Sequence, residues 1–166
     1  MSVTIRPART SDVPAIRGLV EPLAARRVLV SKDAVAYYAG VQQFVVAQGG
    51  EGDLVGCGAL HVLWDDLAEV RTLAVAPTHL GRGVGGAVLG RLLDDARRLG
   101  LHRVFCLTFE VAFFTRHGFE VIDGTPVEPE VYVELLRSYD EGVAEFLDLD
   151  RVKPNTLGNT RMLRVL

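Results

Sequence analysis

The chain has 166 residues, of which 49% are hydrophobic and 23% charged, so its length and composition are those of one globular domain and exclude a disordered chain. The 18 basic and 21 acidic residues give a net charge of −3, without the basic surplus typical of a nucleic-acid binder. Two cysteines are too few for a disulfide framework or a thiolate metal cage. No apolar run reaches the ~20 residues of a membrane span, and the first residues lack the apolar region of a signal peptide. We therefore expect a single domain over residues 1–166 in the cytoplasm, without a metal, nucleic-acid or membrane partner.

The first half of the chain predicts one strand, two helices and a meander of three strands. The alternating residues Val3–Arg6 predict a strand that ends at Pro7. Thr10 or Ser11 is expected to cap the first helix, and a second helix is expected from Ser31. The meander strands are predicted at residues 44–47, 54–63 and 69–76, with a glycine-rich hairpin at 49–53 and a turn at 64–66.

The second half begins with a glycine-rich turn and a long amphipathic helix that ends before Gly100. Its further elements are predicted as a buried strand at 104–109, a helix at 111–116, a strand at 119–122, a helix at 129–139 and a last strand at 162–166. A hairpin meander with one helical crossover indicates an α/β (α+β) fold, with a mixed, mostly antiparallel sheet flanked by helices.

Four glycines, Gly81, Gly83, Gly85 and Gly86, separate a predicted strand from the N-terminus of the long helix. Free backbone N–H groups and the helix dipole make such a turn an anion site, and Arg82 adds a positive charge. The Gly-Lys-Ser/Thr of a Walker A loop is absent. The turn matches Gly-x-Gly-x-x-Gly, but its place after the fourth strand disfavours a dinucleotide site. A plain structural turn remains an alternative.

The strand and this turn carry a family resemblance. Leu73–Pro77 and, three residues later, Gly81–Gly85 resemble motif A of the GNAT acetyltransferase superfamily. Phe113–Phe119 resembles the superfamily's later Tyr-x-x-x-Gly-Phe signature, and Ile5–Asp12 is similar to a common start of its members. The resemblance implies the GNAT fold, with acetyl-CoA as cosubstrate.

The resemblance also implies roles for individual residues. The backbone N–H of Leu73 would polarise the thioester carbonyl, and Val75 would bond the pantetheine arm. Glu69 stands where several members carry a catalytic base, and its position about 13 Å along the strand from Leu73 favours action through a water. A solvated strand-end carboxylate is the alternative. The cofactor contacts so implied are Leu73, Ala74, Val75, Gly81, Arg82, Gly83, Val84, Gly85 and Gly86.

Two positions depart from the superfamily pattern. Leu80 stands where a Gln or Arg usually precedes the first glycine, and Phe114 stands where the tyrosine that protonates the leaving thiolate is usual. Tyr132, Tyr139, the pair Tyr37–Tyr38 or a bound water are the alternatives for this acid.

Three further stretches narrow the resemblance. Val28–Lys32, Leu107–Glu110 and the tail Val152–Leu163 resemble the amino-acid N-acetyltransferases of arginine biosynthesis, in particular the short stand-alone glutamate acetyltransferases of actinobacterial type. This likeness implies acetyl transfer to the α-amino group of L-glutamate or L-glutamine, and a homodimer is common among relatives.

Such an acceptor requires fixed cations and short polar donors. The residues implied to bind it are Lys32, Arg71, Thr72, Asn159, Thr160 and Arg161. Lys32 could equally be a solvated lysine, Arg161 the polar face of an edge strand, and Arg71 a partner of Glu69. Two wider alternatives remain: an acetyltransferase for another amine (a different amino acid, an antibiotic or a protein N-terminus), and a CoA-binding module without catalysis.

Overall fold

The computed structural model describes residues 2–29, 32–150, 152 and 158–166, which form one seven-stranded sheet with helices on both faces. The strands are β1 (Thr4–Pro7), β2 (Phe44–Gln48), β3 (Leu54–Trp64), β4 (Leu67–Val75), β5 (Arg103–Thr108), β6 (Glu120–Val121) and β7 (Thr160–Val165). The helices are α1 (Val13–Ala25), α2 (Ala34–Ala39), α3 (Val84–Arg98), α4 (Val111–Arg116), α5 (Pro129–Leu135) and α6 (Glu141–Phe146).

The sheet has the order β1-β2-β3-β4-β5-β7-β6. Its neighbouring strands are antiparallel except β4 and β5, which pair in parallel and are joined by the crossover helix α3. The mixed, mostly antiparallel sheet predicted from the sequence is therefore confirmed. The last strand β7 lies between β5 and β6, a position that the order of elements along the chain does not predict.

Alternation along β4 assigns its side chains to two different environments. Ala68 and Val70 join the core beneath α3, whereas Leu67 joins a separate core formed with α5 and α6. Because side chains alternate along a strand, Glu69 and Arg71 follow Leu67 onto the α6 side. Two buried charged residues therefore lie between the sheet and α6.

Several predicted boundaries were wrong. Thr10 and Ser11 do not cap α1 but lie in a short 3-10 turn before it, and the carboxylate of Asp12 accepts a hydrogen bond from the Arg9 backbone N–H at 2.7 Å. The helix predicted to end at Tyr139 ends at Leu135, and α6 was not predicted at all. The predicted helix start at Ser31 and the tail residues 153–157 lie outside the described residues.

The final strand also begins two residues earlier than predicted, at Thr160. It pairs with the whole of β5, from Thr160 opposite Thr108 to Val165 opposite Arg103, so the length of β5 fixes that of β7. Across the described part of the chain, no helix combines the length and the apolar character needed to cross a membrane.

Candidate active site

A cleft opens where β4 and β5 stop pairing. Their parallel ladder runs from Leu67 opposite Arg103 to Glu69 opposite Phe105, although β4 continues to Val75. The two strands thus diverge at their carboxyl ends, and a cavity of about 790 Å³ lies between them. This volume is within the range of small-molecule sites.

A β-bulge in β4 faces this cleft. Cys57 pairs with Ala74, and Ala59 pairs with Arg71, so Thr72 and Leu73 together oppose the single residue Gly58. Thr72 takes the left-handed backbone conformation with φ of 56°, which is uncommon for a β-branched residue. A bulge of this kind redirects backbone groups away from the regular ladder. Nothing in the sequence around Thr72 indicates it.

The glycine turn forms the opposite wall of the cavity. Gly83 is the N-cap of α3 with φ of 82° and ψ of 0°, a conformation that glycine adopts without strain. None of the described side chains caps α3, so the N–H groups of its first turn are available to an anion. Of the residues implied to contact the cofactor, those that line the cavity are Leu73, Ala74, Val75, Gly81, Gly83, Val84, Gly85 and Gly86. Arg82 is exposed and does not line it.

Gly85 lies close to α4 and to β4. A Cβ added at Gly85 would be in van der Waals contact with the Phe113 ring and with Val75 Cγ2, at 3.4–3.5 Å, so the space left there is about that of one methyl group. The backbone donors and the positive helix end fit the phosphates of acetyl-CoA.

The other end of the cavity is built on charged side chains. Glu69 and Arg71 are 4% and 8% exposed and are joined by a hydrogen bond of 2.9 Å between Arg71 Nε and Glu69 Oε2. Arg71 Nη1 lies 2.8 Å from Asp140 Oδ1. The remaining nitrogen, Arg71 Nη2, is buried and has no hydrogen-bond partner among the described residues. A buried donor without a partner is costly and therefore indicates a place for a ligand.

Burial and neighbouring charges shift several pKa values at this end. Burial raises the pKa of Glu69 despite the opposing effect of Arg71. Burial, assisted by the charge of Arg71, lowers the pKa of Lys32. The same two causes lower the pKa of His61 to about 4, so this histidine is neutral at pH 7; its Nδ1 lies 3.0 Å from Gln43 Oε1. Burial alone would raise the pKa of Asp140, but Arg71 and the Val143 N–H lower it.

The predicted acceptor residues divide into two groups. Lys32, Arg71 and Thr72 line the cavity, whereas Asn159, Thr160 and Arg161 do not. Clusters of His, Cys, Asp and Glu that could hold a metal ion do not occur among the residues described.

The three tail residues make contacts within the protein: Asn159 and Arg161 bind the end of α6, and Thr160 pairs with β5 in the sheet. The Arg161 guanidinium donates to the backbone carbonyls of Gly124, Glu145 and Phe146 at 2.9, 3.1 and 2.6 Å. Asn159 Nδ2 donates to Glu145 Oε1 at 2.7 Å, and Thr160 pairs with Thr108. The structure thus gives Arg161 two carbonyl partners at the end of α6 and one at Gly124, after β6, in place of the expected substrate carboxylate.

The tyrosines considered as acids lie away from the cavity. Tyr132 donates its hydroxyl hydrogen to the Leu147 carbonyl at 3.1 Å, and Tyr139 is 97% exposed. Tyr37 is buried against Phe44. Of the described residues that line the cavity, none is a tyrosine, and Phe114 packs edge-on against other phenylalanines.

Sequence reasoning missed the residues that come from α6 and from β3. Gly142 and Glu145 line the cavity, Asp140 holds Arg71, and His61 lies opposite Glu69 across the β3–β4 ladder. The antiparallel register of β3 and β4 places His61 opposite Glu69. Of the missed residues, only His61 could have been found from the sequence, by pairing these two predicted strands. The others depend on α6, whose position no local pattern indicates.

A glycine-capped helix that follows the strand β4 agrees with the GNAT acetyltransferase fold that the resemblance implied, and the family comparison agrees as well. Residues 21–119 match the Acetyltransferase (GNAT) family. This match covers more than half of the chain, and the chain belongs to that family. The resemblance predicted from the sequence is confirmed.

More similar proteins narrow the comparison. The amino-acid acetyltransferase of Mycobacterium tuberculosis is 59% identical over 164 residues, which cover 98% of this chain and 94% of that protein. A crystal structure of Rv2747 from the same organism, in complex with CoA and NLQ, superposes with a TM-score of 0.94 at 59% identity and covers 98% of this chain and 99% of the other. The amino-acid acetyltransferase of Neisseria meningitidis serogroup A is 31% identical over 120 residues; the match covers 71% of this chain but only 27% of that longer relative.

Proposed function

We propose that this protein transfers the acetyl group of acetyl-CoA to the α-amino group of an amino acid, L-glutamate or L-glutamine. The observation that carries the proposal is the buried Nη2 of Arg71, which has no partner among the described residues and belongs to a side chain that lines the same cavity as Lys32 and the glycine turn. The name and near full-length similarity of the M. tuberculosis amino-acid acetyltransferase support it.

The cofactor end accounts for the binding of acetyl-CoA. The first-turn N–H groups of α3 receive the phosphates, because they point outward from an uncapped helix end. The strand segment Leu73–Val75 receives the pantetheine, since this part of β4 has no pairing with β5. The Leu73 N–H, which the bulge at Thr72 redirects, polarises the thioester carbonyl.

The acceptor end positions the amino acid. Arg71 Nη2 donates to an oxygen of the acceptor, and Lys32 supplies a second cation to the same end of the cavity. Thr72 adds a backbone and hydroxyl contact at the bulge. In this proposal Asn159, Thr160 and Arg161 act indirectly, by holding α6 against the sheet.

Glu69 serves the proton transfer. The acceptor ammonium must lose a proton before its nitrogen attacks the thioester carbon, and a carboxylate whose pKa is raised by burial is a better base than an exposed one. Glu69 acts through a water, since it lies several residues from Leu73 along β4. As the C–S bond breaks, the thiolate takes its proton from water, because no tyrosine is among the described residues that line the cavity.

The resemblance to amino-acid N-acetyltransferases also suggests a pathway, a compartment and an oligomeric state. We place the reaction at the acetylation step of arginine biosynthesis, in the cytoplasm, with the enzyme acting as a single domain and assembling as a homodimer. Size-exclusion chromatography with light scattering tests the dimer.

The decisive experiment is thiol release from acetyl-CoA by the purified protein with each of the twenty amino acids. We expect release with glutamate or glutamine well above every other acceptor. Lys32→Ala is expected to raise the KM of that acceptor, whereas Arg97→Ala on the exposed face of α3 leaves it unchanged. Tight acetyl-CoA binding without release for any amino acid would contradict the proposal and favour a binding module or another amine.

A further inference from the structure

The guanidinium of Arg71 is held on three sides. Glu69 accepts from Nε at 2.9 Å, and Asp140 lies 2.8 Å from Nη1. The third side is covered by the backbone of Gly142, where an added Cβ would lie less than 3.0 Å from Cζ, Nη2 and Nε of Arg71. The buried Nη2 has no hydrogen-bond partner among the residues that the structure describes.

We propose that Asp140 and Gly142, at the start of α6, are positioning residues that aim Arg71 Nη2 at an oxygen of the acceptor's carboxylate or carboxamide. This inference rests on the proposed function, because it assigns a ligand to the nitrogen that has no partner in the described part of the chain. It makes the start of α6 a determinant of acceptor binding, although its residues hold Arg71 and not the substrate.

The close approach at Gly142 explains why a side chain is absent there. An Arg side chain is flexible, so a Cβ could in general displace its end at small cost. Here Nε is fixed by the buried carboxylate of Glu69 and Nη1 by the half-buried carboxylate of Asp140, so displacement would lengthen two charged hydrogen bonds. A substitution at residue 142 is therefore expected to displace the guanidinium and to change the direction of Nη2.

Asp140 couples this contact to the helix. Its Oδ1 accepts from the Val143 N–H at 2.9 Å, which caps α6, and the same oxygen faces Arg71 Nη1. The buried residues Val143, Ala144 and Phe146 fix α6 against the sheet. One carboxylate oxygen thus sets both the start of the helix and the orientation of the guanidinium.

Steady-state kinetics of Gly142→Ala and Asp140→Ser test the inference. Serine retains the capping oxygen of α6 but is too short to hold Arg71. We expect both variants to raise the KM of the amino-acid acceptor about tenfold or more, which corresponds to about 1.4 kcal/mol, with the KM of acetyl-CoA unchanged. Asp140→Asn, which keeps an acceptor oxygen at full reach, should recover part of the loss. The matched control is Gly90→Ala in α3, where an added Cβ meets nothing within 4 Å.

A second measurement does not depend on turnover. The ¹⁵N–¹H signal of Arg71 Nε should shift in Gly142→Ala and stay unchanged in Gly90→Ala. An active wild-type enzyme whose acceptor KM stays within about twofold in both variants would overturn the inference alone. A wild-type enzyme that uses no amino acid would overturn both this inference and the proposed function. Should Asp140→Ser fail to fold, Gly142→Ala and Asp140→Asn still decide.

Discussion

The two ends of the cavity are built in different ways. The proposed cofactor end comes from one stretch of chain, residues 73–86, and offers mainly backbone N–H groups and a helix end. The proposed acceptor end is assembled from Lys32, Glu69, Arg71 and Gly142, which lie far apart in the sequence, and it includes buried charged side chains. In this proposal the cofactor is bound by a local backbone motif, while the part that selects the acceptor depends on tertiary packing.

The difference extends to electrostatics. Glu69, Arg71 and Asp140 form a chain of buried or half-buried charges at the acceptor end, and the shifted pKa values of Lys32 and His61 belong to the same cluster. The glycine turn acts through fixed dipoles, which do not titrate. Substitutions and pH should therefore affect the two ends separately.

The largest effect is expected from Arg71→Lys. A lysine keeps the positive charge but lacks the fork that reaches Glu69, Asp140 and a ligand together. Loss of one charged hydrogen bond at a buried site costs about 2–3 kcal/mol, so the acceptor KM should rise roughly 100-fold. The KM of acetyl-CoA should stay within about twofold.

The matched control is Arg91→Lys, which makes the same change in a half-exposed i,i+4 pair with Asp95 on α3. Both variants are measured by thiol release, with thermal unfolding as a check of the fold. An equal rise in both KM values for Arg71→Lys would show that the two ends are not independent.

A smaller effect is expected on the pH dependence of the free energy of unfolding, through His61 near the proposed acceptor end. The folded-state pKa of His61 is about 4, against 6.5 for an exposed histidine, so the unfolded chain binds more protons between these values. The stabilising contribution of neutral His61 is therefore complete above pH 6.5 and is lost as the pH falls toward 4. We expect the free energy of unfolding to fall between pH 7 and pH 4 by about 2 kcal/mol more in the wild type than in His61→Asn.

Urea unfolding at a series of pH values measures this difference. Asparagine can still donate to Gln43 Oε1, so the contact at Nδ1 is kept while the titrating ring is removed. Parallel pH profiles for the two proteins would exclude His61 as a source of acid sensitivity.

The corresponding change at the cofactor end is Gly83→Ala. The left-handed backbone of residue 83 costs an alanine about 1–2 kcal/mol, and relief of this strain would rotate the first N–H groups of α3. We expect the KM of acetyl-CoA to rise about tenfold with an unchanged acceptor KM, measured by thiol release and by calorimetric titration with CoA. A selective rise in the acceptor KM would contradict the assignment of the two ends.

The strand, the glycine turn and the long helix around the proposed cofactor end could be predicted from the sequence because their signals are local. A strand that ends at Pro77, glycines at fixed spacing and apolar residues repeating through α3 all lie within one continuous stretch. The bulge at Thr72 was missed, since it arises from the register of β3 against β4 and not from the residue itself.

The proposed acceptor end depends on tertiary packing, and only some of the residues expected there line the cavity. Arg71 and Lys32 were expected there from the resemblance, and both line the cavity. Arg161 was expected as well, but its guanidinium is occupied by the carbonyls that end α6. Asp140 and Gly142 carry no signal of their own, because their importance follows from a helix of six residues and its contact with Arg71.

The smallest effect is expected at a glycine that neither needs a left-handed backbone nor lies close to another group. Gly18 lies in α1 with open space at its Cβ position and no positive φ. Alanine lowers the backbone entropy of the unfolded chain there, so Gly18→Ala should stabilise the protein by about 0.5–1 kcal/mol without changing either KM. Thermal unfolding with thiol-release kinetics measures both quantities.

The variants Gly18→Ala, Gly83→Ala and Gly142→Ala each add one methyl group at a different kind of glycine. Gly18 is a helix position that tolerates a side chain, Gly83 forms a left-handed turn at the proposed cofactor end, and Gly142 lies close to a buried guanidinium. If all three variants changed stability and kinetics alike, the division of the cavity into a backbone-built end and a side-chain-built end would be wrong.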